Sequence, residues 1–181
     1  LGKNVIRTLK WISDSKIITS ESRNINMIDG DSIYQIYDCG INQNMFQTIE
    51  SDVYGNIWFG GLNGLGIISP HKKNKSPYFL PEMKGIFIIK LIFIDKKTLL
   101  AGTYDGFYKI DISANQGKLR YSVSQPIAEL KGIKINHLFK DKTNNIWISC
   151  VSNGVFEISR YKIVRHITME NGLPTNAVMC T

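Results

Sequence analysis

The sequence predicts an all-β fold built from four-stranded antiparallel β-propeller blades, about four of them plus the start of a fifth. Three observations predict it. One motif recurs at steps of 40 to 47 residues (58 − 18 and 147 − 100), a period that marks propellers and other repeat architectures. Each copy reads as short apolar strands separated by turn residues. No helical periodicity persists long enough to compete.

The clearest copies are Asp52-Val53-Tyr54-Gly55-Asn56-Ile57-Trp58-Phe59-Gly60 and Asp141-Lys142-Thr143-Asn144-Asn145-Ile146-Trp147-Ile148-Ser149. They are followed by Gly64-Leu65-Gly66-Ile67-Ile68 and Gly154-Val155-Phe156-Glu157-Ile158 and align without gaps. The tryptophans lie 89 positions apart (147 − 58), so a copy should stand between them. Asp95-Lys96-Lys97-Thr98-Leu99-Leu100-Ala101-Gly102-Thr103, then Asp105-Gly106-Phe107-Tyr108, keeps the frame with Leu100 in place of Trp. A weaker copy begins at Asp14 and has Ile18 at that position. The units run approximately over 1–39, 40–84, 85–130 and 131–169 of one propeller segment, and 170–181 opens the next.

The second unit serves as the template for the elements. Residues 45–50 form a strand, 52–56 a turn in which Gly55 takes positive φ, and 57–60 a strand returning antiparallel. Residues 62–64 turn again into a third strand over 65–69. After the proline-bounded basic stretch His71-Lys72-Lys73-Asn74-Lys75, which reads as a solvated loop, residues 78–80 form a short outer strand. Trp58 and Trp147 sit on the second strand, where a large flat side chain packs between adjacent blade sheets and buries roughly 150–250 Å². Trp11 precedes Asp14 at a strand end, where a surface or an inter-blade role is open. The recurrent Asp14, Asp52, Asp95 and Asp141 head their hairpins. Their carboxylates are expected to cap turns by accepting local N–H bonds rather than to act as acids and bases.

Composition bounds the function. The chain has 181 residues, 43% of them hydrophobic, which is enough for a real core, and a net charge of +7. The longest apolar run, 85–94 with Lys90 inside it, falls well short of the roughly 20 residues of a bilayer-spanning helix. No charged-then-apolar leader opens the sequence, so the chain is expected to be a part of something larger. Cys39, Cys150 and Cys180 are scattered without zinc-like spacing and are expected to be bland thiols; no metal or cofactor is anticipated. His71, His137 and His166 fall at unrelated unit positions and no nucleophile motif accompanies them, so no catalytic residue is assigned and no enzyme is expected. The positive balance raises nucleic acid and anionic glycans as partners, but no nucleic-acid recognition motif is present.

The string Asp-x-x-Gly-Asn-Ile-Trp-Phe-Gly, preceded by Asn44 and Ile49 and followed by Gly-Leu and an aliphatic strand, resembles the two-component regulator propeller repeat. Glu170-Asn171-Gly172-Leu173-Pro174-Thr175-Asn176-Ala177-Val178 resembles the opening of such a unit and parallels the stretch 40–46. The resemblance covers nearly the whole chain. The first and middle units lose the Trp and the Gly-Asn, and the fourth has Asn144 and Ser149 where the pattern has Gly. It implies seven-bladed propellers on the periplasmic side of membrane-anchored hybrid two-component sensor histidine kinases. In such proteins an oligosaccharide is bound and the signal passes to kinase and transcription-regulating modules, none of which lies in this sequence. Four units cannot close a seven-bladed ring, so either further blades of the same protein or a second copy in a homodimer is expected at the open edges.

In such blades the turn after the second strand and the connection into the next blade share one face. The expected ligand-binding residues there are Arg23, Asn44, Asn63, Tyr104, Asp105 and Asn153, with Ser22, Asn42 and Ser152 beside them. Amides, a guanidinium and an aromatic ring suit a sugar, whose hydroxyls need paired donors and acceptors and whose apolar face stacks on a ring. The charge favours an anionic oligosaccharide, sulfated or uronic. The rival expectation is a propeller scaffold that binds a protein partner without a small ligand.

Overall fold

The computed structural model describes residues 6–21, 23–40, 46–69, 76–115 and 118–180. The described strands form four four-stranded antiparallel sheets, each in simple meander order. The first is β1 (Thr8–Ser13), β2 (Lys16–Ser20), β3 (Asn24–Asp29) and β4 (Ser32–Asp38). The second is β5 (Phe46–Ser51), β6 (Ile57–Gly61), β7 (Gly64–Ile68) and β8 (Tyr78–Phe79). The third is β9 (Ile88–Phe93), β10 (Thr98–Thr103), β11 (Gly106–Asn115) and β12 (Lys118–Ser124), and the fourth is β13 (Ile135–Lys140), β14 (Ile146–Cys150), β15 (Val155–Ser159) and β16 (Lys162–Ile167). These are the blades of a β-propeller. The chain divides into two compact units, Leu1–Ile88 and Ile89–Thr181.

Side-chain alternation gives every sheet two distinct faces. In the first unit, Ile18, Ile25 and Met27 of the first sheet share one core with Phe46, Ile49, Ile57, Phe59 and Ile68 of the second. Phe59 meets Phe46 and Phe79 edge-on, with ring centroids 5.2 and 5.6 Å apart. Gly66 lies under the Phe59 ring, where a Cβ would collide with it. In the second unit, Leu100 and Phe107 of the third sheet join Ile135, Leu138, Ile146, Ile148, Cys150, Phe156 and Ile158 of the fourth. Gly102 lets the two sheets approach, since a Cβ there would sit 2.7 Å from Ile135 Cγ2. The same rule holds in both units. The face carrying the tryptophan-position residue, Ile18 or Leu100, packs on the following sheet's face of alternate second-strand residues, Ile57 and Phe59 or Ile146 and Ile148.

The aspartates divide by partner. Asp52 Oδ1 accepts from the Tyr54 and Asn56 amides, each at 2.9 Å, and Oδ2 accepts from Asn56 Nδ2 at 2.8 Å and Trp58 Nε1 at 3.0 Å. Asp141 does the same for Thr143, Asn145 and Trp147 Nε1, the last at 2.9 Å. Hydrogen bonds from Thr143, and next from Trp147, hold its carboxyl below the ordinary carboxylate range. Asp95 accepts from the Lys97 amide at 2.7 Å, and the side chain of Leu100, unlike an indole, has no N–H to offer it. Asp14 is exposed in a two-residue turn. At Asp52, Asp95 and Asp141 the aspartate is thus a turn cap, and in the two Trp copies it also ties the indole to the turn.

The expectation that both repeat tryptophans are core residues needs correction. Trp58 is fully buried, but Trp147 is only half-buried. It shares a cross-strand row with Phe139, Glu157 and Arg165, and the Arg165 guanidinium lies 5.9 Å from its ring centroid. The fourth sheet packs its other face, through Ile146 and Ile148, into the unit's core, and Trp147 is outside that core cluster. Trp11 lies on the Ile17–Ile28 face of the first sheet, at 66% exposure.

Candidate ligand-binding face

The turns between second and third strands are shaped by glycines whose backbones approach the outgoing connection. Gly64 (φ 105°) lies against the Met83 carbonyl, Gly106 (φ 120°) against that of Leu130, and Gly154 (φ 70°) against that of Ile167. A Cβ would overlap those oxygens, and positive φ disfavours other residues there independently. The preceding residue's carbonyl then anchors the connection: Gly85 N donates to Asn63 O at 3.3 Å and Gly132 N to Asp105 O at 3.0 Å. Between them run the 3₁₀ turns Pro81–Met83 and Ala128–Leu130, which bury Met83 and Leu130. Turn and connection therefore lie at one end of each sheet, as the sequence implied.

The connections themselves repeat. Glu82-Met83-Lys84-Gly85-Ile86 is matched by Glu129-Leu130-Lys131-Gly132-Ile133, 47 positions on (129 − 82), with Gly85 at φ 74° and Gly132 at φ 75°. The sequence reading found the same glycine at 172 but passed over these two copies, although the shared Glu-x-Lys-Gly-Ile was a sufficient signal.

The candidate residues fare differently. Tyr104 is exposed (39%) on the turn from β10 to β11, and Lys134 Nζ lies 5.7 Å from its ring centroid. Lys134 also accepts the Val151 amide at 2.9 Å through its carbonyl. One connection residue thus links the Tyr104 turn to the turn carrying Ser152 and Asn153. Nothing in the repeat pattern singled out Lys134, which stands two residues after the connection glycine. Asn136 Nδ2 reaches Val178 O at 3.0 Å, while Val178 N donates to Cys150 O and Gly154 N to Asn176 O. The segment 176–178 therefore borders the same end.

Asp105 has an internal partner: its carboxylate accepts the Tyr108 hydroxyl at 2.6 Å. Burial, followed by that bond, raises the Tyr108 phenol above its ordinary value. Asn153 accepts Ser152 Oγ at 3.3 Å through its side chain, and its carbonyl lies 2.8 Å from His166 Nε2. Asn63 and Arg23 are exposed on the corresponding turns of the first unit, and the Arg23 carbonyl accepts the Cys39 amide at 3.1 Å. Asn44, Asn42, Ser22 and the basic stretch 71–75 lie outside the described residues.

The remaining titratable groups do not converge. His137 is half-buried on β13, and burial, aided by Lys90, lowers its imidazole below the usual value. His166 stacks on Phe156 with centroids 4.0 Å apart, and His71 is outside the described residues. Among the described residues no group of His, Cys, Asp or Glu is placed to hold a metal. A shallow cavity of about 200 Å³, lined by Asp111, Ser113, Arg120 and Tyr121 among others, opens on the β11–β12 ribbon. Asp111 pairs with Thr98, at the far end of β10 from Tyr104, so this cavity is separate from the turn face.

The architecture defines a stretch of β-propeller whose turn end presents an aromatic ring beside a lysine. Solved structures share it. The extracellular domain of BT3049 from B. thetaiotaomicron, named as a hybrid two component system, is 18% identical, with a TM-score of 0.75 over 99% of this chain and 24% of that one. The extracellular domain of BT4673 from the same organism, named as a one component system, is 18% identical, with a TM-score of 0.65 over 88% of this chain and 21% of that one. A catalytically inactive virginiamycin B lyase from Staphylococcus aureus is 17% identical, with a TM-score of 0.65 over 91% of this chain and 56% of that one. At such identities the likeness is one of fold. The chain spans about a quarter or less of the two B. thetaiotaomicron chains. No protein-family model and no curated protein matches the chain.

Proposed function

We propose that this chain is a ligand-sensing propeller stretch of an extracytoplasmic, membrane-anchored two-component receptor. It recognises an oligosaccharide at its turn end without transforming it and makes no nucleic-acid contact, and the response is carried by a kinase module outside the chain. The repeat motif and the propeller fold shared with two extracellular domains support the class. The observation that carries the ligand reading is the exposed Tyr104 ring with Lys134 beside it. An aromatic face stacks on a sugar ring, and the ammonium favours a carboxylate or sulfate on that sugar over a neutral one. Binding would signal by favouring one arrangement of the receptor over another, with the difference in affinity supplying the energy.

The test is calorimetric titration of the folded chain with neutral, uronic-acid and sulfated oligosaccharides. Saturable binding is expected, weakened at least about tenfold by Tyr104→Ala, the loss of about 1.4 kcal/mol. Lys134→Gln weakens anionic oligosaccharides and leaves neutral ones unchanged. No saturable binding across the panel, with saturable binding to a protein partner instead, would replace this reading by a scaffold.

A further inference from the structure

The row Leu138–Ile148–Phe156–His166 runs across the fourth sheet. Its first three side chains are buried in the core shared with Leu100 and Phe107 of the third sheet. His166 ends the row on the outer strand and is exposed. Its ring lies flat on Phe156, with centroids 4.0 Å apart and planes 7° from parallel. Phe156 thus covers one face of the imidazole, and what the ring exposes is its opposite face and its edge.

The ring is held in place from two directions. His166 Nε2 donates to the Asn153 carbonyl at 2.8 Å, which ties it to the turn from β14 to β15. Asn171 Nδ2 donates to the His166 carbonyl at 2.9 Å, while Asn171 Oδ1 accepts the Thr168 amide at 2.6 Å, so the Glu170-Asn171-Gly172 segment braces the end of β16. With Nε2 spent on a carbonyl, the neutral ring keeps Nδ1 as an acceptor. A side chain fixed in this way loses little freedom when a ligand settles on it.

The turn end of the second unit therefore carries two rings, Tyr104 on the turn of the third sheet and His166 beside the turn of the fourth. Lys134 is joined to both turns: its Nζ lies 5.7 Å from the Tyr104 centroid and its carbonyl accepts the Val151 amide at 2.9 Å. Facing sheets stand about 10 Å apart, farther than one sugar ring extends, so a single sugar cannot cover both rings.

We infer that His166 is a second sugar platform, one blade on from Tyr104, and that the turn end holds an oligosaccharide across more than one sugar unit. The inference rests on the oligosaccharide reading above and adds to it a binding residue and a minimum ligand length. The sugar over His166 lays its apolar face on the imidazole and offers a hydroxyl to Nδ1. The sugar over Tyr104 keeps its acidic group beside Lys134.

Calorimetric titration of the chain with galacturonic acid oligomers, from the monomer to the hexamer, tests this. On the parent chain affinity should rise at least about tenfold once an oligomer is long enough to reach both rings. In His166→Ala that rise should shrink below about threefold, whereas His166→Phe, which keeps a flat ring against Phe156 but loses the bond to Asn153, should retain most of it. Thermal melts check that both variants are folded. Tyr104→Ala should weaken oligomers of every length. A parent chain whose affinity does not change with length, a His166→Ala chain that keeps the full rise, or a His166→Phe chain that loses it as His166→Ala does would each overturn the second platform and leave the Tyr104 site standing. A parent chain that binds none of the oligomers would overturn the oligosaccharide reading and this inference together.

Discussion

Asp52 shows how much one side chain can hold in a blade. It takes two backbone amides, one side-chain amide and a buried indole N–H, so its loss leaves Trp58 Nε1 unsatisfied in the core. Asp52→Ala should cost about 2–4 kcal/mol, whereas Asp14→Ala, at an exposed turn, should fall within about 0.5 kcal/mol of the parent; urea denaturation compares them. His137 supplies a pH dependence. Its folded pKa lies below the ordinary 6.5, so the unfolded chain binds the proton more tightly and stability rises with pH between the two values. The contribution is complete above about 6.5 and is lost as pH falls toward the folded value. His137→Gln should flatten that limb, and an unchanged slope would show that His137 does not govern it. Burial pushes the Cys150 thiol up to about 12, so a thiol reagent at neutral pH should modify exposed Cys180 in the native state and reach Cys150 only on unfolding.

At the scale of the elements, the hairpins were legible because turn chemistry is local. Asp-x-x-Gly-Asn and Gly-Leu announce their turns through residues whose preferences need no tertiary context, and the fourth strand Tyr78–Phe79 was anticipated within a residue. What glycine does beyond turning was not legible. Gly64 and Gly154 are fixed by carbonyls 13 to 19 residues further on (154 to 167 and 64 to 83), a contact the sequence cannot announce. Gly64→Ala should therefore cost about 2–4 kcal/mol, well above an ordinary surface turn glycine such as Gly30, which has nothing near it. The hairpin joining β15 to β16 departs from turn chemistry altogether, with Arg160 at φ 48° and Tyr161 at φ 61°. Tyr161 packs on the unit's core, and Lys109 Nζ lies 5.1 Å from its ring centroid, which accounts for a bulky residue being kept in the left-handed region. Arg160 is exposed and has no such anchor, so Arg160→Gly should stabilise the chain by about 0.5–1 kcal/mol, the relief of strain exceeding the added chain entropy. A lower melting temperature for that variant would contradict this.

For the whole molecule, the repeat exposed the fold because blades reuse one solution, and Ile18 and Leu100 could be placed beside Trp58 by alignment alone. Trp147 could not be read that way. Its motif matches that of Trp58 almost residue for residue, yet its burial depends on what stands over its sheet rather than on its own strand. The ligand face was half legible for a similar reason: turn residues such as Tyr104 are marked by the repeat, while Lys134 gains its place only when the connection folds back across the neighbouring turn. The account's central claim is that this turn end, rather than the sheet faces or the β11–β12 cavity, receives an oligosaccharide. The most direct measurement is amide chemical-shift mapping of the ¹⁵N-labelled chain during titration with uronic-acid oligosaccharides. Saturable shifts centred on Tyr104, Lys134 and the 152–153 turn are the predicted result. Saturable shifts confined to the Asp111–Arg120 ribbon, or none at all, would contradict it.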